Sequence, residues 1–226
     1  MTLKKILILG FFCCFAMASH SQRIWDGEYN RLGLQAGVNH FNINTDSLPI
    51  TPKMSWTAGF TTWDSFYNDF EFIYGINFFD FKLSMDGRVK QPQDSEYSEI
   101  PFTMIGVQAN FFGSYKLIDH YLSIHGGPIL QINGKFDARQ DAEYFFIEGY
   151  DNVNPIDLEE ISSVNFNLAA GIAGGLEKVK LWLQYQYGIN NILKKPTEEG
   201  LGEKEPALAD LSGHISMVTF GLIIFL

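Results

Sequence analysis

The stretch VNFNLAAGIAGGLEKVKLWLQYQYGI, residues 164–189, reads as two runs in which every second residue is apolar, and the parity switches at Glu177-Lys178. Val164, Phe166, Leu168, Ala170, Ile172, Gly174 and Leu176 occupy even positions; Val179, Leu181, Leu183, Tyr185, Tyr187 and Ile189 occupy odd ones. A two-residue turn at Glu177-Lys178 accounts for the swap, because it sets Leu176 opposite Val179 and brings both apolar sets to one face of an antiparallel sheet. The other face carries Asn165, Asn167, Ala169, Gly171, Ala173 and Gly175, then Lys180, Trp182, Gln184, Gln186, Gly188 and Asn190. Amides and small residues with one charge are poor dress for water. Two architectures give such a sheet: a soluble sandwich or lipocalin-like barrel with its apolar side in, or a membrane barrel with its apolar side out.

The N-terminal residues make the first cut. Lys4-Lys5, the apolar stretch Ile6–Met17 and the exit Ala18-Ser19-His20-Ser21 follow the order of a secretory signal peptide. The expected division is 1–21 signal peptide and 22–226 a single barrel domain. The apolar stretch is shorter than the roughly 20 residues a membrane-crossing helix takes. Cys13 and Cys14 both lie in it, so the expected mature chain has no disulfide, catalytic thiolate or cysteine-ligated metal. Losing Lys4 and Lys5 takes the 16 basic residues to 14 against 26 acidic, a net charge of −12 that argues against nucleic acid as a partner. Aromatic residues make up 15% of the chain, with 20 Phe and 10 Tyr, which suits interfacial girdles.

Period-two alternation marks further strands at about 31–41, 54–63, 70–81, 100–112, 121–136 and 215–226, making eight with the opening pair. In the fourth both parities are apolar, and Gln108 and Asn110 assign the even set to the polar side. In the fifth, Pro128 implies a bulge or kink; Leu122, Ile124, Leu130, Ile132 and Phe136 share its apolar side. Short connections near 64–69, 114–120 and 177–178 alternate with long ones at 42–53, 82–99, 137–162 and 191–213. That is the asymmetry of an all-β, eight-stranded, up-and-down antiparallel transmembrane barrel, with short periplasmic turns and long extracellular loops. Gly221, Ile224 and Leu226 match the Gly and spaced hydrophobics of a barrel-insertion signal, with Phe225 penultimate where an aromatic residue usually ends the chain.

Several phrases resemble the outer-membrane β-barrel family described as porin-like or PorT-like. They are Glu99-Ile100-Pro101-Phe102, Gly126-Gly127-Pro128-Ile129-Leu130, the glycine-rich 168–176 run, and Tyr185-Gln186-Tyr187-Gly188-Ile189-Asn190-Asn191-Ile192 with Ile189 in place of the family's Leu. The resemblance implies an eight-stranded outer-membrane barrel and carries no catalytic motif.

Eight strands leave an interior just wide enough for side chains to fill. Arg31, Gln35, Glu71, Asn77, His125, Gln131, Lys135, Lys180, Gln184 and Gln186 are expected to point inward and satisfy one another. His40, His120, His125 and His214 are scattered and hold no ligand spacing. Asp80, Asp86 and His40 are rim candidates for a membrane-barrel hydrolase, but no motif groups them. Segment 137–162 has eight acids against Arg139, interleaved with Tyr144, Phe145, Phe146 and Tyr150, and is the place for an unidentified partner. Within it Asn154-Pro155 starts a short capped helix. The sequence therefore reads as a non-enzymatic integral outer-membrane protein of a Gram-negative-type bacterium with a structural or loop-mediated binding role. Its expected partners are outer-membrane lipid and, through the C-terminal strand, the barrel insertion machinery. No catalytic, cofactor-binding or metal residue is assigned. A small-solute channel, a rim enzyme and a secreted lipocalin-like binder are the alternatives.

Overall fold

A computed structural model describes residues 30–89, 97–139 and 141–226; the expected signal peptide lies outside the described residues. The strands are β1 (Asn30–Asn44), β2 (Ile50–Tyr67), β3 (Phe70–Val89), β4 (Tyr97–Ile118), β5 (Leu122–Asn133), β6 (Asp137–Ala138), β7 (Phe145–Ile147), β8 (Val164–Gly175), β9 (Val179–Gly188) and β10 (His214–Phe225). Eight of them close a ring in the order β4-β5-β8-β9-β10-β1-β2-β3, with β3 pairing back to β4 and every pairing antiparallel. The ladder leaves β1 at Asn30 and passes through Asp64, Phe72, Gly113, Gly126, Ala170, Tyr185 and Val218. It returns to β1 at His40, a stagger of ten residues. For eight strands that stagger corresponds to a tilt of about 40–45°.

The opening hairpin forms as its parity requires. Leu176 N–H donates to Val179 C=O at 2.8 Å across Glu177-Lys178, and both side chains face outward. Leu34, Val38, Phe60, Ile76, Phe111, Leu168, Leu183 and Phe220 stand exposed on the same outer surface. From Val179 to Ile189, at roughly 3.3 Å per residue and a tilt of about 40°, this surface rises about 25 Å, the height of an outer-membrane-type apolar band. Trp56, Tyr185 and Tyr187 edge it on one side and Phe66, Phe70, Tyr115 and Tyr121 on the other, the arrangement of aromatic girdles. No helix of the described residues is long and apolar enough to cross a membrane; the crossing is made by strands whose ladders close into a ring. The chain is an eight-stranded transmembrane β-barrel. The even positions of β4, including Gln108 and Asn110, do point inward.

Three expectations change. Segments 42–53 and 82–99 are mostly not loops: β1 runs to Asn44, β2 starts at Ile50, β3 reaches Val89 and β4 starts at Tyr97, so these strands project beyond the apolar band. Pro128 makes no bulge. The β4–β5 register is the same on both sides of it, and its missing N–H is accommodated by a gap in the ladder opposite Phe111 and Phe112. Lys135 does not point inward and Phe136 does not face lipid. β5 ends at Asn133, whose side-chain amide donates to Gly134 C=O and Ser162 C=O. Beyond that stop Lys135 is exposed and Phe136 is fully buried.

Candidate functional site: a layered lumen under a folded outer cap

Inward side chains change character in the same order along β3 and β4. From the outer end, β4 presents Ile100, Phe102 and Met104, then Gln108 and Asn110, then Phe112, then Ser114 and Lys116. β3 presents Met85, Leu83, Phe81 and Phe79, then Asn77, then Ile73, then Glu71. The lumen is therefore an apolar outer plug, an amide belt, an inner apolar layer and a charged inner mouth.

The amide belt is largely self-satisfied. Gln35 Nε2 donates to Asn77 Oδ1 at 2.5 Å, and Asn77 Nδ2 donates to Asn110 Oδ1 at 3.2 Å. Gln108 Nε2 donates to Gln131 Oε1 at 2.9 Å, Gln131 Nε2 to Asn133 Oδ1 at 3.0 Å, and Asn165 Nδ2 to Asn133 Oδ1 at 2.8 Å. Below it Trp63, Ile73, Phe112, Trp182, Ile223 and Phe225 pack together. At the inner mouth Ser114 Oγ donates to Glu71 at 3.1 Å, and Lys180 Nζ lies 5.2 Å from the Trp63 ring centroid and donates to His120 C=O. The expected inward residues are thus brought together, except Lys135 and Arg31, whose guanidinium donates to Glu177 C=O at 3.0 Å at the exposed turn. Between belt and apolar layer lies a cavity of about 30 Å³, lined by Gln35, Asn77, Gln108, His125, Trp182 and Gln184 among others. It has room for one or two waters.

The outer plug escaped the sequence reading. Phe41, Phe79, Phe81, Leu83, Met85, Ile100, Phe102 and Met104 from the strands join Phe136, Phe145, Ile147, Val153, Leu158, Ile161, Leu193, Leu201, Leu208 and Leu211 from the two long connections in one buried core. Segment 137–162 is accordingly a lid and not a charged loop standing off the barrel. β6 pairs with β4 at Phe102 and Thr103, and β7 pairs with β3 at Gly87, Arg88 and Val89. The expected capped turn at Asn154 is a short 3₁₀ helix, Pro155–Leu158, whose Asp157 Oδ2 accepts from the Asn154 N–H at 3.0 Å. The second connection folds as α1 (Lys194–Glu198) and α2 (Leu201–Lys204). Asn191 closes its base, its Oδ1 accepting from Leu193 N–H at 2.9 Å and Gly213 N–H at 2.8 Å.

Ion pairs lace the lid from above. Lys204 meets Asp157 at 2.6 Å and Lys195 meets Glu160 at 3.3 Å, both joining the second connection to the first, while Lys135 meets Glu159 at 2.7 Å. Arg88 pairs with Asp151, and the Tyr150 hydroxyl donates to Ser47 C=O. The hydrogen bond from Lys135 to Glu159 raises the lysine's pKa; burial raises that of Tyr150. Lys53, followed by the Ser84 hydroxyl, lowers that of Glu99.

The rim candidates are not brought together. His40 is exposed on the outer wall of β1 opposite Met54 and Val218. Asp80 accepts from Trp56 Nε1 at 3.2 Å and pairs with Lys82 at 3.4 Å. Asp86 lies further out on β3, opposite Glu99. His120 neighbours Asp119 at the inner turn, His125 stacks on Phe112 inside, and His214 stacks on Tyr187. Among the described residues no cluster of three or more His, Cys, Asp or Glu is placed to hold a metal ion.

No protein-family profile matches the chain, and no curated protein does. Among solved structures it is similar to Neisserial surface protein A, at 12% identity over 86% of this chain and 97% of that one, with a TM-score of 0.44. It is also similar to Ail, the attachment invasion locus protein of Yersinia pestis, at 11% identity over 87% and 99% of the two chains, with a TM-score of 0.43. The eight-stranded assignment rests on the closed ladder of the chain itself.

Proposed function

We propose that this chain is a non-enzymatic outer-membrane protein of a Gram-negative-type bacterium, inserted by the machinery that reads C-terminal barrel strands, whose work is recognition through its folded outer cap. The observation that carries this reading is the plug. Both long connections contribute leucines, isoleucines and phenylalanines to a core that fills the outer lumen, which gives the outer end a fixed shape at the expense of a channel. A preorganised surface binds without the cost of ordering loops. The inner apolar layer closes the lumen a second time, and the separation of His40, Asp80 and Asp86 speaks against a rim hydrolase.

Cell fractionation, protease treatment of intact cells and planar-bilayer recordings test the proposal. It expects the protein in the outer membrane, cleavage confined to the cap from outside, and no stable conductance. A fully soluble mature protein, a persistent open state, or ester hydrolysis abolished by Asp80→Asn would each overturn it.

A further inference from the structure

The lipid-facing wall is bulky almost everywhere but dips along one row. Gly113 on β4 pairs with Gly126 on β5, which pairs with Ala170 on β8. The neighbouring outward positions are Phe111, Tyr115, Ile124, Pro128, Leu168 and Ile172, all exposed. The dip is a groove of about 480 Å³ walled by Phe70, Tyr115 and Ile124. A second hollow of about 360 Å³, walled by Phe72, Tyr74 and Phe111, meets it at Gly113.

Gly113 itself is the informative residue. A Cβ at Gly59, Gly75 or Gly106 would come within 2.0, 2.3 or 2.4 Å of a carbonyl oxygen on the next strand, so the fold requires those glycines. A Cβ at Gly113 would meet nothing within 4 Å, and its backbone is not left-handed. Glycine inside a strand weakens it and often marks where a ligand approaches the backbone. No contact among the described residues requires glycine here, and the missing side chain leaves the groove open to the lipid side.

We infer that this groove binds one acyl chain of a membrane lipid. The inference rests on the transmembrane character of the wall, with which the groove is continuous. The first hollow is walled mainly by aromatic and aliphatic side chains, with Ser114 and His125 also lining it and Asp64 lining the second; no lysine or arginine lines either, so the groove takes hydrocarbon and not a phosphate headgroup. Two hollows joined end to end fit a chain. The barrel wall is one residue thick at this point, because His125 lines both the groove and the lumen cavity; a chain seated there covers it.

Native mass spectrometry of the purified full-length barrel, titrated with dioleoyl phosphatidylethanolamine in nonionic detergent, tests the site. The wild type should retain one lipid under activation that strips the rest. Gly113→Leu should retain it at least tenfold less well, with Leu183→Ala on another part of the wall unchanged. Ala170→Leu fills the same groove and serves if Gly113→Leu fails to fold. Equal retention by the wild type and a folded groove-filling variant would overturn the inference. So would a wild-type dimer that Gly113→Leu converts to monomer, which would make the groove a contact between copies. A soluble mature protein would instead fail at fractionation, before any lipid is added.

Discussion

The rings of Phe41 on β1 and Phe81 on β3 stack inside the barrel, centroids 4.7 Å apart and 18° from parallel, reaching each other past the intervening β2. Phe79 continues the stack at 4.0 Å from Phe81. At this level His40 and Asp80 take over the outer wall from Val38 and Phe78. Below the stack apolar side chains face lipid and the lumen holds the amide belt, the inner apolar layer and the charged mouth. Above it the outside is wet and the lumen holds the plug.

Phe81 is therefore the joint between barrel and cap, and Phe81→Ala should cost about 3–5 kcal/mol, as expected for a fully buried phenylalanine. The loss belongs to the plug, since the lipid-facing ladder is untouched. Limited proteolysis should cut segment 137–162 faster in the variant while the barrel keeps its heat-modifiable migration. Unchanged cap protection would mean that the lid is held by its surface ion pairs instead of its core.

Leu183 faces outward on β9 between Ile172 of β8 and Phe220 of β10, well inside the apolar band. Leu183→Arg should destabilise the barrel by roughly 2–4 kcal/mol if it lies at the lipid midplane. The same change at Leu176, beside the Glu177-Lys178 turn, should cost much less. Refolding into phospholipid vesicles against urea reads both, and equal costs would show that the band is centred elsewhere.

The hairpin, the strand count, the inward amides and the outward face were legible because each follows from period-two alternation. The plug was not read, although its signal is of the same kind. On β3 the apolar residues are even through Phe78, Ile73 excepted, and odd from Phe79 through Phe81, Leu83 and Met85, with no slip in the β3–β4 register. The switch repeats on β1 between Val38 and Phe41 and on β10 between Met217 and Val218. In the opening hairpin such a switch means that the chain reverses; here it means that a strand leaves the bilayer and its apolar side becomes the inside. Alternation alone does not separate the two, and the Pro52–Trp56 register shift on β2 masks the pattern further. Segment 137–162 misled because its eight acids conceal Phe145, Ile147, Val153, Leu158 and Ile161, which are spaced irregularly and buried only by the lid's own fold.

Cap protection should depend on pH at both extremes. Lys53 and Ser84 depress the Glu99 pKa, so its contribution is present above the unfolded value of about 4.3 and is lost as pH falls through the folded value. Glu159 raises the Lys135 pKa, so that contribution is present below about 10.4 and is lost as pH rises through the folded value. Both groups are largely exposed, and about 1 M salt should flatten both limbs. Amide exchange in the lid measures this. Glu99→Gln should remove part of the acid limb and leave the alkaline one, and an acid limb of unchanged size would assign it to other carboxylates.

Gly59 and Gly113 both sit inside ring strands, yet alanine should act on them in opposite directions. At Gly59 the new Cβ would lie 2.0 Å from the Ile76 carbonyl oxygen and 2.6 Å from Asn77 Oδ1. Neither can yield cheaply: the carbonyl is backbone, and Asn77 links Gln35 to Asn110 in the amide belt. Overpacking of about 1–3 kcal/mol then adds to about 1–3 kcal/mol for each buried amide left unpaired. At Gly113 the new methyl meets open space, and removing backbone freedom from the unfolded chain should stabilise by about 0.4–1 kcal/mol. Urea midpoints in vesicles should therefore fall for Gly59→Ala and hold or rise for Gly113→Ala. Similar shifts in both would mean that close approach of β2 to β3 is not what requires glycine at position 59.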